Sequence, residues 1–194
     1  RGIENTSGPL GQGHAFGAGA AIAEKFLEAR LGKEVMQHTI YIYISDGGVQ
    51  EEISQGVGRI AGNLGLSNIV MFYDSNDIQL STECRVVMNE DTAAKYKAWG
   101  WNVMTIDGNN ADEIRDALNK SKQETQRPTL IIGNTVMGKG ALKADGSSFE
   151  HNIGTHGAPL GGDAYINTIR HLGGNPDDPF VIFPEVQELY AKRR

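Results

Sequence analysis

Residues 40–52 read IYIYISDGGVQEE, Ile40 to Glu52. An apolar run of β-branched and aromatic residues stops at Ser45-Asp46. It passes Gly47 and Gly48 and enters an acidic segment. The run predicts a strand over about 39–45, and the segment from Val49 to about Gly65 predicts a helix. A carboxylate therefore stands at the carboxyl end of a strand that reads as buried.

Working outward, the same alternation recurs. Residues about 11–30, rich in Ala and Gly, predict a helix ending near Gly32. NIVMFYD (Asn68–Asp74) predicts a second strand. Residues about 90–98 predict a helix and WNVMTI (Trp101–Ile106) a third strand. Ile114, Ala117, Leu118 and Ser121 share one face of a helix over Ala111–Glu124. TLIIG (Thr129–Gly133) predicts a fourth strand, its start marked by Pro128. Strands alternating with helices imply an α/β fold, a doubly wound parallel sheet with helices on both faces. Residues 134–162 are glycine-dense and lack apolar periodicity. They read as a long loop, of the kind that is functional when it occurs inside a compact domain. A helix over about Gly162–Leu172 follows, then an irregular tail with Pro176, Pro179 and Pro184, and a short helix over Pro184–Lys192. The expectation is one domain over residues 1–194.

The bulk numbers bound the function. The 194 residues suffice for one α/β domain with a real core. A net charge of −6 disfavours a nucleic-acid or anionic-membrane surface, so neither is an expected partner. No apolar run approaches the roughly 20 residues of a membrane span. The single cysteine, Cys84, cannot form an internal disulfide, which fits a reducing, cytoplasmic setting. Glycine is abundant, 25 of 194 residues against a typical ~7%, which suggests backbone that something approaches closely.

Asn76 follows the second strand, one strand–helix–strand unit after Asp46. Right-handed crossover makes the two strands neighbours or near-neighbours, so both residues sit at the carboxyl edge of the sheet. Asp46, Asn76 and a backbone carbonyl near Ile78 are hard oxygen donors. They suit Mg²⁺ completed by phosphate or water oxygens. Gly47 and Gly48 let the backbone approach that phosphate and open a helix whose first amides favour an anion. The plainer reading stays open on these residues alone. Asp46-Gly47 also makes a common turn and helix start, and Asp74-Ser75-Asn76-Asp77 a common polar loop. Other motifs do not hold. Gly11–Gly19 is not a dinucleotide fingerprint, Met137-Gly138-Lys139-Gly140 lacks the rest of a P-loop, and no Cys/His set has zinc spacing.

Four segments resemble transketolases, the thiamine diphosphate-dependent family. Thr6-Ser7-Gly8-Pro9-Leu10-Gly11-Gln12-Gly13 is close to TTGPLGQG. Asp46-Gly47 with Asn76 matches the thiamine diphosphate signature, G-D-G and a later Asn. Ala98–Val103 resembles AYGWxV, and Thr155–Gly161 resembles SHGAPLG. Order and spacing agree from residue 1 to about 162. The resemblance implies transfer of a two-carbon ketol unit from a ketose phosphate to an aldose phosphate, in the pentose phosphate pathway. The cofactors implied are thiamine diphosphate and Mg²⁺ or Ca²⁺. Asp46, Asn76 and the Ile78 carbonyl would be the metal ligands, and Gly47 the diphosphate contact. Gly8, Pro9 and Leu10 would line the thiamine site. His156 would stand near diphosphate and substrate, assisting proton transfer. Glu51 would lie near the contact of a homodimer whose active site is at the subunit interface.

The departures are specific. Ser45 replaces the first Gly of G-D-G. Gly56 stands where many members carry a second glutamate, one turn beyond Glu51, which puts carboxylate coupling between sites in doubt. The loop between Lys139 and Thr155 differs in spacing. The family's upstream histidines and its following domain, with the activating glutamate, have no counterpart here. The expectation is a fragment of the diphosphate-binding domain, inactive alone. The alternatives are another thiamine diphosphate ketol transferase, such as a dihydroxyacetone or deoxyxylulose phosphate synthase, or a non-catalytic Mg-diphosphate-binding module.

Overall fold

Along the second strand, Ile69, Met71 and Tyr73 join one apolar cluster, while Val70 joins another with Phe72 packed against it. This period of two is what a strand covered on both faces requires. The computed structural model describes residues 3–192. It places β1 (Ile40–Ser45), β2 (Ile69–Ser75), β3 (Asn102–Asp107) and β4 (Thr129–Asn134) in one sheet, in the order β1-β2-β4-β3. All three pairings are parallel, with Ser45 opposite Asp74 and Asp74 opposite Gly133. β1 and β2 are direct neighbours, so the carboxyl ends carrying Asp46 and Asn76 adjoin.

The first face is covered by α1 (Gln12–Leu31), α2 (Asp46–Gln50), α3 (Glu52–Asn63) and α5 (Thr92–Ala98). Ala18, Ala21, Val49, Ala61 and Tyr96 from these helices pack on Ile42, Ile44, Leu130 and Ile132. The second face receives Ala117 and Leu118 of α6 (Ala111–Ser121) against Val70 and Ile131. Asn110 caps α6 by accepting from the amides of Asp112 and Glu113, while Glu113 accepts from the Asn110 side chain. That reciprocal pair holds the helix start. At β1 the second face is open, and Tyr43 is 81% exposed.

Two glycines set how closely α3 approaches its neighbours. A Cβ at Gly62 would lie 1.8 Å from the Trp99 carbonyl oxygen, and one at Gly58 3.0 Å from the Trp99 ring. The Trp101 indole N–H donates to the Gly58 carbonyl at 2.8 Å. The ring of Tyr96 lies against both Trp99 and Trp101. The AWGW segment is thus a packing element that needs a bare helix face. A second tie joins α1 to the start of β2. Buried Glu24 accepts from the Asn68 side chain at 2.7 Å and the His38 amide at 3.0 Å.

Some boundaries differ from the sequence reading. The helix expected from Val49 to Gly65 starts at Asp46 and breaks at Glu51, whose ψ of 131° is extended. On α1, Gly17 lies against β1, where a Cβ would meet Ile42 at 2.4 Å. The buried positions are His14, Ala18, Ala21 and Glu24, and Ala20 is exposed. A four-residue helix, α4 (Cys84–Val87), is additional.

The chain divides into two compact units, Arg1–Val136 and Met137–Arg194. In the second unit, the glycine-dense stretch is folded. Residues 137–143 run against 147–151, with bonds from the Phe149 amide to Ala141 and the His151 amide to Met137, and a bridge between Leu142 and Ser148. A 3₁₀ turn (Ile153–Thr155), α7 (Gly162–His171) and α8 (Pro184–Ala191) complete it. Buried Thr168 of α7 accepts from the Leu142 amide at 2.9 Å.

Candidate metal–diphosphate site

Asp46 is the first residue of α2, directly after β1, and is 2% exposed. A carboxylate there needs partners, and three are supplied. Oδ1 accepts from the Tyr73 hydroxyl at 2.6 Å. Oδ2 accepts from the backbone amides of Asn76 at 2.9 Å and Asp77 at 3.1 Å. Burial pushes the Asp46 carboxyl above the usual carboxylate range. The three hydrogen bonds oppose that shift, and the nearby Asp74 charge adds to it. The Tyr73 phenol is pushed up by burial and by its bond to Asp46. A buried anion beside a second anion is a setting that a dication would relieve.

Asn76 and Ile78 lie on the loop after β2. The Asn76 side-chain oxygen accepts from the Ile78 amide at 3.0 Å, a turn fastened by the side chain itself. Asp77 between them takes φ 64°, the left-handed conformation. Ile78 pairs with Glu83 in an isolated antiparallel bridge. The ladder bonds there run from Gln79 to Thr82 and from Cys84 to Asp77, so they bypass Ile78. Ile78 therefore turns its N–H and C=O to the outer edge, the edge on which the Asn76 amide lies.

The donor set fits a hard cation. A carboxylate has about four lone-pair sites and an amide oxygen two. Three hydrogen bonds to Asp46 and one to Asn76 leave one site on each, and the Ile78 carbonyl stands outside its ladder. Among the described residues, no group of three or more His, Cys, Asp or Glu could hold a metal ion. A single free carboxylate oxygen beside amide and carbonyl oxygens suits Mg²⁺, which takes one or two carboxylates and completes its shell with phosphate oxygens and water.

Gly47 borders the same edge. A Cβ there would meet Leu10 at 3.2 Å, so the structure brings Leu10 of the GPLGQG segment onto Gly47. Gly11 takes φ 83°, and a Cβ at it would strike Ile53 at 2.3 Å. Only glycine turns this loop into α1 so close to α3. Gly8 and Pro9 are exposed, with open space around Gly8. Ser45, the departure from G-D-G, caps α2, its hydroxyl accepting from the Gly48 amide at 3.4 Å. Glu51 is the exposed junction between α2 and α3. A Cβ at Gly56 meets nothing within 4 Å.

His156 belongs to the second unit, where it follows the 3₁₀ turn and donates its amide to Ile153 at 3.0 Å. Its Nδ1 is buried and has no hydrogen-bond partner among the described residues.

His14 carries no motif and is not a sequence-predicted site residue, yet it is 6% exposed behind the Gly48 backbone. Its Nδ1 lies 2.5 Å from the Ser54 hydroxyl. Burial lowers its pKa, and a bond with the Tyr43 backbone partly opposes this. Its spacing from Ala18 and Ala21, i+4 and i+7, is the signal that could have found it. A cavity of about 350 Å³ adjoins Asp46 on its Tyr73 side, bordered by Cys84, Arg85, Met88 and Thr105. Burial, followed by the Asp46 and Asp77 charges, pushes the Cys84 thiol up to about 12, which makes it a poor nucleophile.

Among the described residues, no helix is long and apolar enough to cross a membrane. Comparison with known proteins agrees with the geometry. The whole chain, residues 1–194, matches the family described as transketolase, thiamine diphosphate binding domain. It is 38% identical over 193 residues to a transketolase of Staphylococcus aureus, covering 97% of this chain and 28% of that protein. It is 37% identical over 197 residues to transketolase 2 of Xanthobacter flavus, again over 28% of the relative. Among solved structures, the transketolase of Campylobacter jejuni superposes with a TM-score of 0.88 at 34% identity. The match covers 95% of this chain and 28% of that one. The Leishmania mexicana transketolase gives 0.89 at 30% identity, over 96% and 28%. The chain thus spans about 28% of the length of the relatives it matches. With its parallel α/β sheet and oxygen-donor edge, this chain belongs to the transketolase thiamine diphosphate-binding domain family.

Proposed function

We propose that the protein carrying this chain is a transketolase that moves a two-carbon ketol unit from a ketose phosphate to an aldose phosphate. The observation that carries the reading is the Asp46–Asn76 pairing. A buried carboxylate at the end of one parallel strand is tied at 2.9 Å to the residue following the next strand. In this reading Asp46, Asn76 and the Ile78 carbonyl hold Mg²⁺ or Ca²⁺. Gly47 admits the diphosphate because it has no side chain, and Leu10 packs beside it, with Gly8 and Pro9 in the same loop. Bound thiamine diphosphate supplies the carbon nucleophile and the electron sink. His156 exchanges a proton with the reacting oxygens, a role supported by its unpartnered buried Nδ1.

The reading extends to a cytoplasmic enzyme of the pentose phosphate pathway, working as a homodimer with its active site at the subunit interface. Exposed Phe16 and Phe26 on α1 support such an interface, and Glu51 is assigned to it. The test is ketol transfer by the full-length protein with thiamine diphosphate and Mg²⁺. Transfer that disappears on chelation and returns with Mg²⁺ is expected. A folded, cofactor-loaded protein without transfer would contradict the reading. The 194-residue chain alone, spanning about 28% of its relatives, is expected to turn nothing over.

A further inference from the structure

Asp74 lies two residues before Asn76 and faces away from Tyr73 along β2. Its Oδ1 accepts from the Thr135 hydroxyl and from the Asn76 side-chain amide, the latter at 3.4 Å. Thr135 is itself fixed, because its amide donates to the Ser75 carbonyl at 2.9 Å and extends the β4–β2 ladder by one residue. The orientation of the Asn76 amide follows from chemistry. A backbone N–H can only donate, so the side-chain atom facing Ile78 at 3.0 Å is oxygen. A carboxylate can only accept, so the atom facing Asp74 is the NH₂ group. The two contacts together allow one rotamer flip state and exclude the other.

We infer that Asp74, held by Thr135, is a positioning residue that locks the Asn76 amide with its oxygen toward the metal edge. This rests on the metal–diphosphate reading of Asp46 and Asn76. Without Asp74 only the Ile78 N–H holds the amide, and every turned amide presents NH₂, which binds no cation. Outer partners of metal ligands typically cost about 10–100-fold in metal affinity when removed.

The experiment uses the full-length protein and reads the Mg²⁺ concentration that half-saturates thiamine diphosphate binding, by calorimetry or circular dichroism, with no substrate present. Asp74→Ala should raise that concentration about 10-fold or more. Asp74→Asn keeps an acceptor oxygen for the Asn76 amide and should stay within about threefold of the parent. Thr135→Val leaves the carboxylate in place but unheld. It should raise the requirement in the same direction by a smaller factor, and it carries the test if Asp74→Ala does not fold. An unchanged Mg²⁺ requirement in folded Asp74→Ala, or in Thr135→Val, would overturn the inference. So would Asp74→Asn matching Asp74→Ala, because the effect would then follow charge and not orientation. Asp46→Asn run in parallel separates the two claims. If it too leaves the Mg²⁺ requirement unchanged, the metal reading itself fails. If it alone raises the requirement, only the role of Asp74 fails.

Discussion

The Tyr73 hydroxyl donates to Asp46 Oδ1 at 2.6 Å, joining the face of β2 to the first residue after β1. Both groups are buried, so the hydroxyl is one of the few donors that this desolvated carboxylate has. Tyr73→Phe therefore leaves a buried carboxylate oxygen short of a donor. The expected cost is about 1–3 kcal/mol of unfolding free energy, measured by urea denaturation of the cofactor-free protein. An unchanged midpoint would mean that the hydroxyl does not support the carboxylate.

Gly62 and Gly56 lie on one helix but predict opposite outcomes. Gly62→Ala drives a methyl against the Trp99 carbonyl, 1.8 Å away, and should destabilise by at least about 1–3 kcal/mol. Gly56→Ala enters open space in the interior of α3 and should stabilise by roughly 0.5–1 kcal/mol. Equilibrium unfolding of the two variants checks both signs. A Cβ is accommodated at Gly56, so Gly56→Glu is the substitution whose cofactor-binding curves, compared with the parent's, test the proposed coupling between sites.

His14 makes stability depend on pH. Its pKa is lowered in the fold from 6.5, so the folded state favours the neutral ring. The unfolded chain takes up the proton first as pH falls. Stability from this group is thus present above 6.5 and is lost as pH drops through 6.5 toward the lower folded value. His14→Gln, which keeps hydrogen-bonding capacity toward Ser54 and Tyr43 without titrating, should flatten that acid-side loss. Urea unfolding at about pH 7 and about pH 5 measures the slope. Equal slopes in the two proteins would remove His14 as its source.

The strands were legible because each is a short apolar run with clear punctuation, such as Pro128 before β4 and Asp46 after β1. The pairing of Asp46 with Asn76 was legible because one crossover unit separates them. The break at Glu51 was not, since an extended residue between two helical turns leaves the apolar pattern almost unchanged. α4 escaped because four residues carry no period. The folded stretch over 137–151 escaped because its order comes from backbone bonds and from Glu150 accepting the Gly140 amide, not from apolar alternation. Ser45 looked like a simple departure in a motif, and its capping of Gly48 required the turn geometry.

The most direct test is thiamine diphosphate binding to the full-length protein in excess Mg²⁺, comparing the parent with Asp46→Asn by calorimetry. The substitution keeps the size of the side chain and removes the anionic ligand. Affinity should fall by about 100-fold or more, at or beyond the upper end of what outer partners of metal ligands cost. An unchanged affinity in folded Asp46→Asn would contradict the assignment of this strand end as the metal–diphosphate anchor.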